Sequence, residues 1–90
     1  MEFKWDETKA RRNERKHRVS FNEAAEVFGD DYSSCVPDPD HSDNEERFLL
    51  FGVSEKGKYL TISFTETEYE IRLISARQMT LLERKAYEQR

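Results

Sequence analysis

Apolar residues recur every three to four positions in some stretches of the chain and every second position in others, and this change of period predicts the elements. Phe3-Lys4-Trp5 is a short strand-like start, and Asp6 suits the N-cap of a helix running from Glu7 and Thr8 to Lys16. The only consistent inward stripe of that helix is Ala10, Asn13 and His17. It is nearly polar, so the helix is expected to lie across the surface or face a partner. Ser20 and Glu23 have capping-box spacing, and Phe21, Ala24, Ala25 and Phe28 then fall at i, i+3, i+4 and i+7. They predict a second helix that stops at Gly29, a residue suited to the left-handed position at a helix end.

Both prolines and a run of acids between Asp30 and Glu46 read as a loop, with a short strand around Ser34 to Val36. Arg47 to Val53 carries apolar residues on both faces, which places it near the centre of a sheet. Tyr59 to Phe64 alternates, with Leu60, Ile62 and Phe64 on one face and Tyr59, Thr61 and Ser63 on the other. Tyr69 to Ile74 alternates too, putting Tyr69, Ile71 and Leu73 together and Glu70 with Arg72 opposite. Short links at Lys56-Gly57 and Glu66-Thr67 make hairpins, so the sheet is expected to be antiparallel. Thr80 and Glu83 form a second capping box, opening a last helix with Met79, Leu82 and Ala86 on one side. The order predicts an α+β fold in a single domain over 1–90, two N-terminal helices and a C-terminal helix packed on an antiparallel β-sheet.

Composition narrows the class. A mean hydropathy of -0.99 and 38% charged residues would fit a solvated tail, but six Phe, four Tyr and one Trp indicate a folded chain with a very polar surface. No apolar run approaches the roughly 18 residues that cross a bilayer. The segment Lys4-Trp5-Asp6 lacks a signal-peptide core, so a cytoplasmic location is expected. Cys35 is the lone cysteine, and no Cys/His pair has metal-ligand spacing, so neither a disulfide, a metal nor a cofactor is expected. The net charge of -4 argues against a simple nucleic-acid binder. Its distribution is uneven: the first and last twenty residues together hold twelve Lys/Arg against six acids, and the middle fifty hold three against thirteen. One chain could therefore present a basic face to RNA and an acidic face to a basic partner.

Several segments in order resemble the BrnT toxin family, from Phe3 to Glu88. They are Phe3-Lys4-Trp5-Asp6; Lys9-Ala10, Asn13 and Lys16-His17; Val19-Ser20-Phe21 with Glu23-Ala24-Ala25; Val27-Phe28 and Asp30; Asp40-His41-Ser42; Glu45-Glu46-Arg47; Gly52; Ile71-Arg72; Ile74-Ser75-Ala76-Arg77; Glu83-Arg84; and Tyr87-Glu88. Their joint order and spacing are specific where any one piece would be weak. Two departures stand out: Arg18 where the family usually has Gly, and Asp31 where Pro commonly follows the Asp. Arg18 implies that this turn either avoids positive φ or is strained. The resemblance implies a RelE-like fold, endoribonuclease activity and pairing with a BrnA-type ribbon-helix-helix antitoxin. Operator DNA would be bound only through that antitoxin, in a complex that represses its own promoter.

RNA cleavage by attack of the 2′-hydroxyl on the adjacent phosphorus needs no metal if side chains move the protons and cations stabilise the phosphorane. Arg72 and Arg77 are the candidates to grip the scissile phosphate, because a guanidinium stays charged and binds phosphate oxygens in pairs. The alternative pairs them with Glu70 or with carboxylates of the loops. His17 is the candidate general acid/base, histidine being the side chain that ordinarily titrates near neutral pH; the alternative is a helix-end residue bonded to backbone carbonyls. Arg47 and Lys16 are candidate RNA-binding cations, Arg47 alternatively pairing with Glu45 or Glu46, and Tyr59 either stacks a base or is a packed surface aromatic. His41, among acids, suits a loop-shaping role. A second function class stays open: a toxin homologue without cleavage, acting as an antitoxin-bound co-repressor.

Overall fold

The computed structural model describes residues 1–41 and 45–89. Ser42 of the family-like Asp40-His41-Ser42 segment lies outside them. Among the described residues, β1 (Glu2–Lys4), β2 (Ser34–Pro37), β3 (Phe48–Val53), β4 (Tyr59–Glu66) and β5 (Glu70–Gln78) form one sheet in the order β1-β5-β4-β3-β2. Helices α1 (Glu7–His17) and α2 (Phe21–Glu26) precede β2, and α3 (Leu81–Glu88) follows β5.

The sheet is mixed rather than antiparallel throughout. The β3-β4-β5 meander and the β2–β3 pair are antiparallel, but β1 runs parallel to β5, with Phe3 opposite Ile71 and Lys4 opposite Arg72. A three-residue strand separated from the meander by two helices carries no sequence signal of which neighbour it joins. β4, not the Arg47–Val53 segment, is the central strand. Leu49, Phe51 and Val53 on the outer face of β3 are half-buried, which explains why that segment reads as covered on both sides.

The core forms where the helical segment meets one sheet face: Val19, Phe21, Ala24 and Val27 pack on Leu50, Leu60, Ile62, Phe64, Ile71, Leu73 and Ala76. Phe28 links β1 to β4, its ring edge-on to Phe3 at 5.2 Å and to Phe64 at 5.0 Å. After Glu26, α2 tightens into a 3₁₀ turn over Val27–Gly29, and Gly29 is not left-handed. This turn sits hard against β3, where a Cβ on Gly52 would come within 2.7 Å of Val27 Cγ1. Ser20 caps α2, but the Glu23 carboxylate does not return to complete a box. It accepts instead from Ser54 Oγ at 2.8 Å and Lys58 Nζ at 3.3 Å, tying α2 to the β3–β4 turn.

Helix α1 lies largely exposed along the protein surface, as expected, but one residue of its polar inward stripe is buried. Asn13 is only 8% exposed. Its Nδ2 donates to the carbonyls of Ala76 at 2.8 Å and Val19 at 3.0 Å, and its Oδ1 accepts from Ala76 N–H at 3.1 Å. β1 ends opposite Arg72, so beyond that point β5 has no strand on this edge, and the Asn13 amide satisfies both backbone groups of Ala76 as a strand would.

α3 packs on the opposite, outer face of the sheet. Its capping box at Thr80 and Glu83 is complete. The residues turned to the sheet are Glu83 and Tyr87, with Ala86 beside them in a groove against Val36 and Phe51, while Leu82 is 77% exposed and Leu81 72%, so Leu82 is the member of the predicted Met79, Leu82 and Ala86 face that turns away. The outer face offers Thr61, Arg77, Tyr59 and Asp30, so polar residues of the helix turn toward it.

Candidate functional site

Arg72 and Arg77 are five positions apart, an odd spacing that would put them on opposite faces of a regular strand. They share one face because β5 is irregular. Ser63 pairs with Ser75, but the next residue, Phe64, pairs with Leu73, leaving Ile74 as an extra residue in β5. Before Ile74 the outward residues are Glu70 and Arg72; after it they are Ser75 and Arg77, while Ala76 turns inward to the core. Arg77 thus lies within β5 opposite Thr61, not beyond the strand end, and Arg72 lies opposite Thr65.

Both arginines carry carboxylate partners. Exposed Arg72 is paired with Glu45. Arg77 holds Glu83 bidentately, with Nη1 to Oε1 at 2.7 Å and Nη2 to Oε2 at 2.9 Å, and also donates to the Gln78 carbonyl at 3.2 Å. Glu83 further accepts from Thr61 Oγ1 at 3.2 Å and Thr80 N–H at 2.9 Å. Chiefly through the Arg77 hydrogen bonds, its pKa is held down at about 2, so it is a fixed anion and a poor base. The same bonds raise the pKa of Arg77. A guanidinium has about five N–H donors, so the Glu83 and Gln78 contacts leave Arg77 two with which to meet a phosphate.

Around the edge of β5 the charge is arranged differently. Lys9, Arg12 and Lys16 are exposed along α1 and border, with Asn13, His17 and Ile74, a shallow depression of about 300 Å³. Arg11 and Arg15 lie on another flank of α1, beside Glu14. Among the described residues, none of Lys9, Arg11, Arg12, Arg15, Lys16 and Arg18 has a carboxylate within ion-pair distance, in contrast to Lys4, Lys58, Arg72, Arg77 and Arg84. His17, the last residue of α1, is half-buried, and its ring makes no hydrogen bond to another described residue. The helix ends at Arg18, whose φ of 60° places a non-glycine residue in the left-handed region.

A family model described as the ribonuclease toxin BrnT of type II toxin-antitoxin systems matches residues 5–83. The chain belongs to the BrnT family. The crystal structure of the Brucella abortus ribonuclease toxin BrnT has the same fold, with a TM-score of 0.69 and 19% identity over 89% of this chain and 97% of that one. No curated sequence matches the chain significantly. The BrnT match spans both features described above, the basic helix α1 and the bulged strand β5 with its arginines. Membership in a type II system entails an antitoxin partner. Among the described residues, no helix is long and apolar enough to cross a membrane.

The remaining candidates are dispersed. Arg47 is half-buried just before β3, where its carbonyl accepts from Asp38 N–H at 2.8 Å. Tyr59 opens β4 on the outer face, but Arg84 sits 3.9 Å over its ring and Tyr87 meets its edge, so one stacking face is already covered. His41 Nδ1 lies 3.0 Å from Asp38 Oδ2, in keeping with a loop-shaping role. Cys35 is exposed on edge strand β2, and the desolvation it meets beside the neighbouring strand, with Glu66 nearby, raises its thiol pKa and disfavours the reactive thiolate. Sequence reasoning missed two residues. Apart from their place in the family-like segments, Glu83 appears there as a cap and Asn13 as an awkward polar residue on an inward stripe; that awkwardness was itself an available signal.

Proposed function

We propose that this chain is a metal-independent endoribonuclease toxin on a RelE-like scaffold, neutralised by a BrnA-type ribbon-helix-helix antitoxin with which it represses its own promoter. The observation that carries the reading is the bulge at Ile74, which puts Arg72 and Arg77 on one sheet face while Ile74 itself borders His17. The 2′-hydroxyl of the substrate attacks the adjacent phosphorus, and the bond from phosphorus to the 5′-oxygen breaks. The products are a 2′,3′-cyclic phosphate and a 5′-hydroxyl. His17 serves the proton transfers, and Arg72 and Arg77 stabilise the charge on the phosphorane. Lys16, Arg47 and Tyr59 hold flanking nucleotides. Leu81 and Leu82, bare on α3, are the kind of apolar surface a neutralising partner covers.

One observation favours a second reading. Glu45 and Glu83 already occupy the two arginines, as they would in a co-repressor that no longer meets RNA. Expression without antitoxin separates the two: the ribonuclease arrests growth and Arg77→Ala does not, whereas a harmless wild-type chain leaves the co-repressor reading.

A further inference from the structure

The α1 cations that make no ion pair with a described carboxylate form more than a solvated face, although Asp6 at the helix start acts on Lys9 and Arg12 through its charge. Lys9, Arg12 and Lys16 are spaced i, i+3 and i+7, so they stack on one side of the helix and span about 10 Å at roughly 1.5 Å per residue. They share one shallow depression with His17 and with Ile74, the bulge residue between Arg72 and Arg77. In a chain with 19 acids and 15 Lys/Arg, cations without an ion pair stand out; among the described residues Lys56 and Lys85 are isolated cases, whereas six such cations cluster along α1 and at its end. Asn13 explains how this face stays open: the helix is anchored by an uncharged amide, so no cation is drawn into docking.

We infer that Lys9, Arg12 and Lys16 bind successive backbone phosphates of single-stranded RNA, leading the strand past His17 and Ile74 toward the outer face of β5. This rests on the ribonuclease reading above and adds its substrate-tracking surface. The contacts are to phosphates, so they confer affinity without sequence preference. Three phosphate contacts give log K against log salt a slope of about -2, so four-fold more salt weakens that component about twenty-fold.

The test is binding of a short 2′-O-methyl oligoribonucleotide, which has no 2′-hydroxyl to attack, as a function of salt. The Lys9→Ala/Arg12→Ala/Lys16→Ala variant should bind on the order of ten-fold or more weakly at low salt and with a slope shallower by about 2. Arg11→Ala/Arg15→Ala, on the other flank of α1, should bind nearly as wild type. All five positions are exposed, so native circular dichroism is expected of both variants. Equal losses in the two variants, or wild-type binding by the triple variant, would overturn the assignment. So would a triple variant that binds RNA normally but no longer captures its antitoxin, which would give the stripe to the protein partner. Wild-type chain that fails to cut ordinary RNA, yet binds the methylated strand through the stripe, would defeat the ribonuclease reading and leave this one standing.

Discussion

Helices α1 and α3 grip adjacent residues of β5 from opposite sides. α1 takes hold of the backbone of Ala76 through Asn13; α3 takes hold of the side chain of Arg77 through Glu83. Both helices open on a side-chain cap, Asp6 and Thr80, and both are strongly polar. The outcome for charge is opposite. An amide satisfies N–H and C=O without drawing on any ion, so the cations of α1 remain available, whereas α3 docks by ion pairing and occupies the arginine it touches. Arg84 of the same helix is also engaged, over Tyr59 and beside Glu88. Docking chemistry, more than net charge, thus decides where a chain of net charge -4 can meet a phosphate.

Breaking the α1 anchor should have the largest effect. Asn13→Leu removes three hydrogen bonds and strands both polar groups of Ala76, so urea denaturation should show a loss of about 3 kcal/mol. The α3 contact is partly exposed and screened, so Glu83→Gln should cost about 1 kcal/mol. Its signature is pH dependence. Because folding depresses the Glu83 pKa from 4.5 to about 2, its stabilisation is fully present above pH 4.5 and is lost as pH falls toward 2. The stability gap between wild type and Glu83→Gln should close over that interval, and a gap independent of pH would show that the pair does not hold α3. The smallest change sharpens the α1 side: Arg18→Gly relieves the left-handed residue at the helix end and should raise stability by about 0.5–1 kcal/mol in thermal melts.

Much of this architecture is written in short-range pattern. The alternation of Leu60, Ile62 and Phe64 and the Thr80–Glu83 spacing predict β4 and the start of α3 because local geometry decides both. The positions of the arginines were not legible in the same way. Strict alternation puts Arg72 and Arg77 on opposite faces, and the extra residue at Ile74 is visible only once β4 sets the register. The parallel pairing of β1 depends on a contact between residues nearly seventy positions apart, which no local period encodes. Within the candidate site, the residue types and a carboxylate partner for each arginine were readable, but which carboxylates they are was not, since Glu45 and Glu83 reach the arginines through tertiary placement.

The most direct measurement is the fate of a defined RNA incubated in EDTA with antitoxin-free wild-type protein and with Arg77→Ala. Wild type should cut the RNA to 2′,3′-cyclic phosphate ends, and Arg77→Ala should leave it intact while its circular dichroism stays native. Full cleavage by Arg77→Ala would contradict the placing of that arginine on the scissile phosphate.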